Sequence, residues 1–197
     1  MPADLDAQFA FLAEADRLKS VYRATTLHDG SRRENTAEHS WHVALYALVL
    51  AEQAAPGVNI DRVIRMLLLH DLVEIDTGDV PIHSANGAAH ASLETQAAEQ
   101  RAADRLFGLL PADQAQAFRA LWDEFEANET PDARFAKSLD RLPPVMANLA
   151  SGGGTWVEYA VTYEQLEARV GHKIARGAPG LWDWVQGKTK AWFSARP

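Results

Sequence analysis

His39, His70, Asp71, Glu74, Asp79 and Asp140 are the residues of this 197-residue chain whose types and settings could do chemistry. Met66-Leu67-Leu68-Leu69 runs directly into His70-Asp71, and Leu72-Val73 follows. A carboxylate in such surroundings pays a heavy desolvation cost unless it is paired or bound to a metal. Read singly, Asp71 is a helix carboxylate paired with an arginine such as Arg65, and His70 is a satisfied core histidine. Read together, the six residues call for a cation. The chain has no cysteine, which excludes a disulfide framework, a thiolate zinc site, an iron–sulfur cluster and a cysteine nucleophile. Any metal must therefore be held by histidine and carboxylate. That mixed nitrogen and oxygen set suits Mn, Co, Fe, Ni or Zn.

The elements that must position these residues read almost entirely as helix. Leu5 to Val21 carries an apolar stripe at Phe9, Leu12, Leu18 and Val21. Residues 22–35 read as a polar, basic loop. Thr36 is the expected cap of a helix that reaches about Ala55 and places Glu38-His39 in its opening turn. Asp61 is the expected cap of a second buried helix, Arg62 to about Ile75. On that helix Glu74 lies four residues after His70 and three after Asp71, and so faces nearly the same way. Thr77-Gly78-Asp79 breaks it, and a loop could turn Asp79 back over the site. Further helices are predicted from about Ser92 to Leu109, from Asp113 to Ala127, and from Thr130-Pro131 onward, the last meeting Pro143-Pro144. His39 and Asp140 then arrive from separate helices, as in bundle metal sites. No segment alternates long enough to read as a strand, so the expected class is all-α. Ser151-Gly152-Gly153-Gly154 is the one flexible-looking stretch. We expect a bundle over residues 1–150 and an aromatic-rich helical extension over 151–197 packed on the same domain.

Composition narrows the partners. Against 27 Asp and Glu stand only 19 Lys and Arg, a formal charge of −8. This balance argues against binding a nucleic-acid polymer or an anionic membrane. A small phosphorylated substrate remains compatible where a metal or a local arginine reverses the field. The longest apolar run, Val43 to Ala51, spans nine residues, short of the ~18 that suggest a membrane span. The opening residues carry no basic leader, and a cytoplasmic protein is expected.

Three segments together carry a family resemblance. They are Arg33-Glu34-Asn35-Thr36-Ala37-Glu38-His39-Ser40, then His70-Asp71-Leu72-Val73-Glu74 leading to Thr77-Gly78-Asp79, then Ser138-Leu139-Asp140-Arg141-Leu142. The set resembles the HD-domain metal-dependent phosphohydrolases, and within them the 5′-deoxynucleotidase-like branch. The similarity runs from about Leu18 to Asn148, and more faintly around Pro179 to Trp184. The resemblance implies a compact multi-helix bundle with a metal at its centre. It implies His39, His70, Asp71 and Asp140 as ligands of one divalent ion, with Glu74 and Asp79 as two acidic residues used in catalysis. It also implies Arg23 as a contact to substrate phosphate, a nucleoside 5′-monophosphate as substrate, and a homodimer. Relatives with deoxynucleotidase activity carry a Trp beside that arginine where Ala24 stands here, so no preference for deoxyribose is implied.

Other polar residues read more plainly. His42, three residues after His39, reads as structural. Arg33 is expected in an ion pair, Arg32 is unassigned, and His83 and His90 read as solvated loop residues, with a place over the pocket entrance as the alternative. Glu124 and Glu126 look like a solubilising face. Trp182 and Trp184 cannot share one helix face. Hydrolysis of another small phosphorylated metabolite is a rival function. Relatives acting on hyperphosphorylated guanosine nucleotides carry a further His-x-x-x-Glu-Asp element, whereas Glu74 is followed here by Ile75-Asp76. A metal-retaining binding protein is the other alternative, and it gives no reason to keep both Glu74 and Asp79.

Overall fold

The computed structural model, which describes residues 2–89 and 92–196, is helical apart from one short hairpin. Helix α1 (Pro2–Ala15) gives way to a 3₁₀ turn at Asp16–Ser20 and not to one continuous helix as far as Val21. Strands β1 (Tyr22–Thr26) and β2 (Arg33–Asn35) follow, antiparallel, where the sequence reads as loop. The pairing is short and irregular, with Tyr22 opposite Asn35 and Thr26 opposite Arg33. The alternation of a longer strand is therefore missing.

Helix α2 (Thr36–Val49) is capped by Asn35, not by Thr36. The Asn35 side chain accepts from Glu38 N at 2.9 Å, and Glu38 returns a bond to Asn35 N at 3.1 Å, a reciprocal capping box. This releases the Thr36 hydroxyl for another partner. Helix α3 (Ile60–Leu69) is likewise capped by Asn59, where Asp61 was expected. Its apolar face buries Val63, Met66 and Leu67.

The helix predicted to continue to Ile75 stops at Leu69. The Trp122 indole donates to the His70 carbonyl at 3.0 Å, and Glu74 N turns to Asp71 O at 3.0 Å. A tight turn therefore carries residues 70–73, and α4 (Glu74–Thr77) is a separate short helix. Gly78 ends it at a φ of +71°, a conformation that glycine adopts without steric cost.

Helices α5 (Leu93–Phe107), α6 (Ala112–Ala127) and α7 (Pro131–Asp140) fall where the sequence places them. Thr130 caps α7 with Pro131 in its first turn. Pro143 and Pro144 cannot donate back to Leu139 and Asp140, and α7 ends at Asp140. They open α8 (Leu142–Ala150), in whose first turn a missing N–H costs nothing. The glycine stretch is a tight turn into α9 (Gly154–Glu158), with Gly153 N bonded to Asn148 O at 2.7 Å.

Beyond it lie α10 (Tyr163–Leu166), a π turn at Glu167–Gly171, α11 (His172–Gly177) and α12 (Pro179–Ser194). Trp156, Leu166, Ile174 and Trp182 from this region join the same core as Phe135 and Leu139 of α7. Trp182 is buried while Trp184 is exposed. Helix α11 lies directly on α7: a Cβ added at Gly177 would strike the backbone carbonyl of Arg134. Among the described residues, no helix is long and apolar enough to cross a membrane.

Candidate metal centre and active site

Three helices and one turn bring the six predicted residues into one place. His39 comes from the first turns of α2, His70 and Asp71 from the turn after α3, and Asp140 from the last residue of α7. Because the ladder breaks at His70, Asp71 can share a direction with its neighbour instead of pointing a full residue step away around a helix. His39 Nε2 lies 3.0 Å from Asp140 Oδ1, and His70 Nε2 lies 3.4 Å from the same oxygen. Asp71 Oδ2 sits 3.1 Å from His70 Nε2 and 4.0 Å from His39 Nε2. His39 is fully buried, and His70 and Asp140 are nearly so.

This arrangement fits a bound cation. His70 Nδ1 faces the Leu67 carbonyl at 2.8 Å and so carries the proton of the neutral ring. Its Nε2 then presents a lone pair to two carboxylate oxygens and makes no hydrogen bond. His39 Nε2 is hydrogen-bonded to Asp140 Oδ1 at 3.0 Å, a contact in which the nitrogen must donate, and its Nδ1 lies 3.4 Å from Glu34 Oε2 without a hydrogen bond. A proton or a metal ion must sit between these nitrogens and the carboxylates they face. A carboxylate or carbonyl behind each imidazole is how metal-ligating histidines are oriented. The metal-free electrostatics say the same. Burial alone would lower the His70 pKa, yet Asp71 and Asp140 raise it to about 10, so a proton takes the place of the cation. Burial alone would raise Asp140, and Arg141 with the two imidazoles holds it well below the usual range.

The second layer of acids surrounds Arg23 of β1. Its Nη1 is 2.9 Å from Asp71 Oδ2, and 3.6 Å from both Glu74 Oε1 and Asp79 Oδ1. Its Nε lies 3.8 Å from Glu34 Oε2. Asp71 thus pairs with Arg23, not Arg65. Burial first, then the charge of Asp71, pushes the Glu74 carboxyl well above its usual range, with Arg23 opposing. Asp79 is raised in the same sense, by burial first. The freed Thr36 hydroxyl donates to Glu74 Oε2 at 2.8 Å, and Ala24 N donates to Asp79 Oδ2 at 3.4 Å. Gly78 makes the turn that lets Asp79 reach the hairpin.

A cavity of about 450 Å³ opens beside these residues. Arg23, Ala24, His70, Asp71, Glu74, Asp79 and Asp140 line it, as do Glu99, Glu126, Lys137, Arg141 and Lys173. Several of these went unremarked in the sequence. Glu34 could have been found as a lone acid just before the capped helix. Thr36 is hidden by its resemblance to a cap. Nothing in sequence marks Glu99 or Lys173 apart from other surface charges, and Arg141 stands out only as the neighbour of Asp140.

Among the remaining expectations, His83 is buried against the cavity and not solvated. Burial, with Arg169 and Arg141 nearby, lowers its pKa to about 4. His90 lies outside the described residues. His42 packs edge-on against Tyr46 at 4.9 Å. Arg33 pairs with Glu158 at 2.9 Å and Arg32 with Glu38 at 2.7 Å, so neither holds Glu34. Glu124 pairs with Arg62, and Glu126 pairs with Lys137 at 2.8 Å within the cavity wall instead of only serving solubility.

Comparison with known proteins points the same way. The chain is 28% identical over 162 residues to the 5′-deoxynucleotidase HDDC2 of Homo sapiens, covering 82% of this chain and 70% of that one. It is 32% identical over 136 residues to the 5′-deoxynucleotidase yfbR of Photorhabdus temperata, covering 67% and 68% of the two chains. A solved structure described as a predicted metal-dependent phosphohydrolase, from Magnetospirillum magnetotacticum MS-1, superposes with a TM-score of 0.89 at 46% identity. That superposition covers 96% of this chain and 95% of the other. Residues 15–182 match the HD domain family, and the chain belongs to it.

Proposed function

We propose that the protein is a divalent-metal-dependent phosphomonoesterase that hydrolyses nucleoside 5′-monophosphates to nucleoside and phosphate. The observation that carries this reading is the convergence of two buried imidazole Nε2 atoms and the oxygens of Asp71 and Asp140 on one spot at the wall of a cavity of nucleotide size. His39, His70, Asp71 and Asp140 would hold the ion, and their donor set admits Mn, Co, Fe, Ni or Zn. When bound, a divalent ion polarises a phosphoryl oxygen and makes water more acidic.

The chain's own residues supply the rest. Water adds to phosphorus, the bond from phosphorus to the 5′ oxygen breaks, and the leaving alkoxide gains the proton that water gives up. Glu74 and Asp79 are the groups placed to move that proton. Burial raises the affinity of both carboxyls for a proton, and Thr36 and Ala24 N fix their oxygens. Arg23, held between them and Asp71, keeps these acids apart and turns its guanidinium toward the cavity wall where a phosphate would lie. Ala24 lines the same cavity with a small side chain, which leaves space beside the sugar.

The substrate class supports a cytoplasmic setting, where nucleoside monophosphates are found. A homodimer is supported by an uncovered apolar stripe on α2, where Trp41 is 64% and Val49 71% exposed, with Leu45 and Leu48 between them.

The test uses metal-stripped protein reloaded separately with Mn, Co, Ni or Zn and offered ribo- and deoxynucleoside monophosphates, with free phosphate measured. Release should require metal. In Glu74→Gln it should fall at least about 100-fold with bound metal unchanged. Absence of release from every monophosphate, or full activity in Glu74→Gln, overturns the assignment.

A further inference from the structure

The carboxylates of the cavity gather most densely around the metal-facing residues. At the metal end, Glu34, Asp71, Glu74, Asp79 and Asp140 surround a single guanidinium, that of Arg23. Even a divalent ion leaves that end no surplus of positive charge for a phosphate dianion. Further cations line the same cavity. Arg141 follows Asp140 and sets its Nε 3.4 Å from Asp140 Oδ2, the oxygen turned away from the imidazoles. Lys173 of α11 is half-buried and lines the same wall. Among the described residues its ammonium has neither an ion pair nor a hydrogen bond. Lys137, the third cation there, is already taken by Glu126 at 2.8 Å and by the face of the Phe125 ring at 3.9 Å.

Lys173 is also held in place. Ser138 of α7, two residues before Asp140, sets its hydroxyl 3.1 Å from the Lys173 carbonyl and 3.0 Å from that of Ile174, its single proton shared with the Arg134 carbonyl at 2.8 Å. The backbone that carries the ammonium is thus tied to the helix that carries a metal-facing carboxylate. Burial, then the charges of Arg141 and Lys137, lower the Lys173 pKa to about 8, the mark of a cation crowded by cations. A half-buried cation without a counter-ion is costly to keep, and an anionic ligand relieves the cost.

We propose that Lys173, together with Arg141, anchors the outer oxygens of the substrate's phosphate, completing from the C-terminal helices a site whose metal end is too acidic to hold the dianion alone. This assignment rests on the phosphohydrolase reading above. Arg23 then serves chiefly to order Glu74 and Asp79, and the ground-state grip on phosphate falls to Lys173 and Arg141.

The experiment is calorimetric titration of manganese-loaded protein with inorganic phosphate, and separately with a nucleoside lacking phosphate. Wild type is compared with Lys173→Met, which keeps the length of the side chain, and with Lys173→Arg, which keeps the charge. Phosphate should bind about 10-fold or more weakly to Lys173→Met and near normally to Lys173→Arg. Nucleoside affinity should be unchanged in both, and the KM of the monophosphate should rise in step with the phosphate constant. Equal phosphate affinity in Lys173→Met and wild type, with both melting alike, overturns the proposal while leaving the phosphohydrolase reading standing. A wild type that binds phosphate nowhere and releases none overturns both.

Discussion

Asp140→Asn removes a charge without changing volume, and its effect can be worked out from the geometry. One oxygen, Asp140 Oδ1, lies within 3.4 Å of both imidazole Nε2 atoms. Without its charge, the ion keeps two imidazoles and the single carboxylate of Asp71. At a metal concentration 100 times the dissociation constant, binding stabilises the wild type by about 2.7 kcal/mol. At about 2–4 °C per kcal/mol for a chain of this size, manganese should raise its melting temperature by about 5–10 °C. A ligand lost from the shell weakens affinity by about 100-fold or more. The same manganese concentration then only matches the variant's constant, a gain of about 0.4 kcal/mol, or roughly 1 °C. The assay is differential scanning fluorimetry of metal-stripped protein with and without manganese, reading the metal-dependent increment for each variant. The increment is the quantity to compare. Asp140 also helps hold the proton on His70 in the metal-free protein, so the absolute stability of the variant falls as well. An increment in Asp140→Asn equal to that of wild type would show that Asp140 does not bind the ion.

Three further outcomes follow from other parts of the structure. Glu99, raised to about 7 by burial first and then by Glu126, binds more protons folded than unfolded between pH 4.5 and 7, so its ionisation costs stability as pH rises through that window. Because the group is only half-buried, the cost is discounted to about 1 kcal/mol. Glu99→Gln should therefore melt about 2–4 °C above wild type at pH 8 and level with it at pH 4, and a gap independent of pH would refute the cause. Gly177→Ala drives a methyl into the Arg134 carbonyl and should cost about 2–3 kcal/mol, read as a lower urea midpoint. An unchanged midpoint would mean that α11 does not press on α7. Trp41→Asp should halve the mass seen by light scattering if the α2 stripe is the dimer face, and a wild type that is already monomeric removes that role.

What could be read from sequence was whatever depends on neighbours along the chain. Thr130-Pro131 starts α7 because cap and first-turn preferences are local, and His70-Asp71 stood out because an apolar run surrounds it. The expectations that failed depend on distant partners. The break after Leu69 is accompanied by an indole 52 residues away taking the His70 carbonyl. Thr36 is not a cap because Asn35 and Glu38 satisfy each other, and its true partner, Glu74, lies 38 residues on. The hairpin at 22–26 and 33–35 lacks alternation, and part of what holds it is a carboxylate from Asp79 on the Ala24 amide.

The same distinction explains why the acidic half of the site was legible and the basic half was not. A buried carboxylate is conspicuous, because an apolar run gives it no reason to be there. A lysine at the start of a short helix is ordinary until its surroundings are known. Lys173 becomes unusual only when Ser138 ties its backbone to α7, Arg141 stands near it, and Lys137 is already spent on Glu126. The residues after Gly154 are therefore more than a cover for the bundle. They close the core through Trp156 and Ile174, and the packing that buries these side chains also carries a cation to the lining of the cavity. On the proposed assignment the acids can then be numerous enough to bind an ion, while Lys173 adds positive charge needed to admit a phosphate.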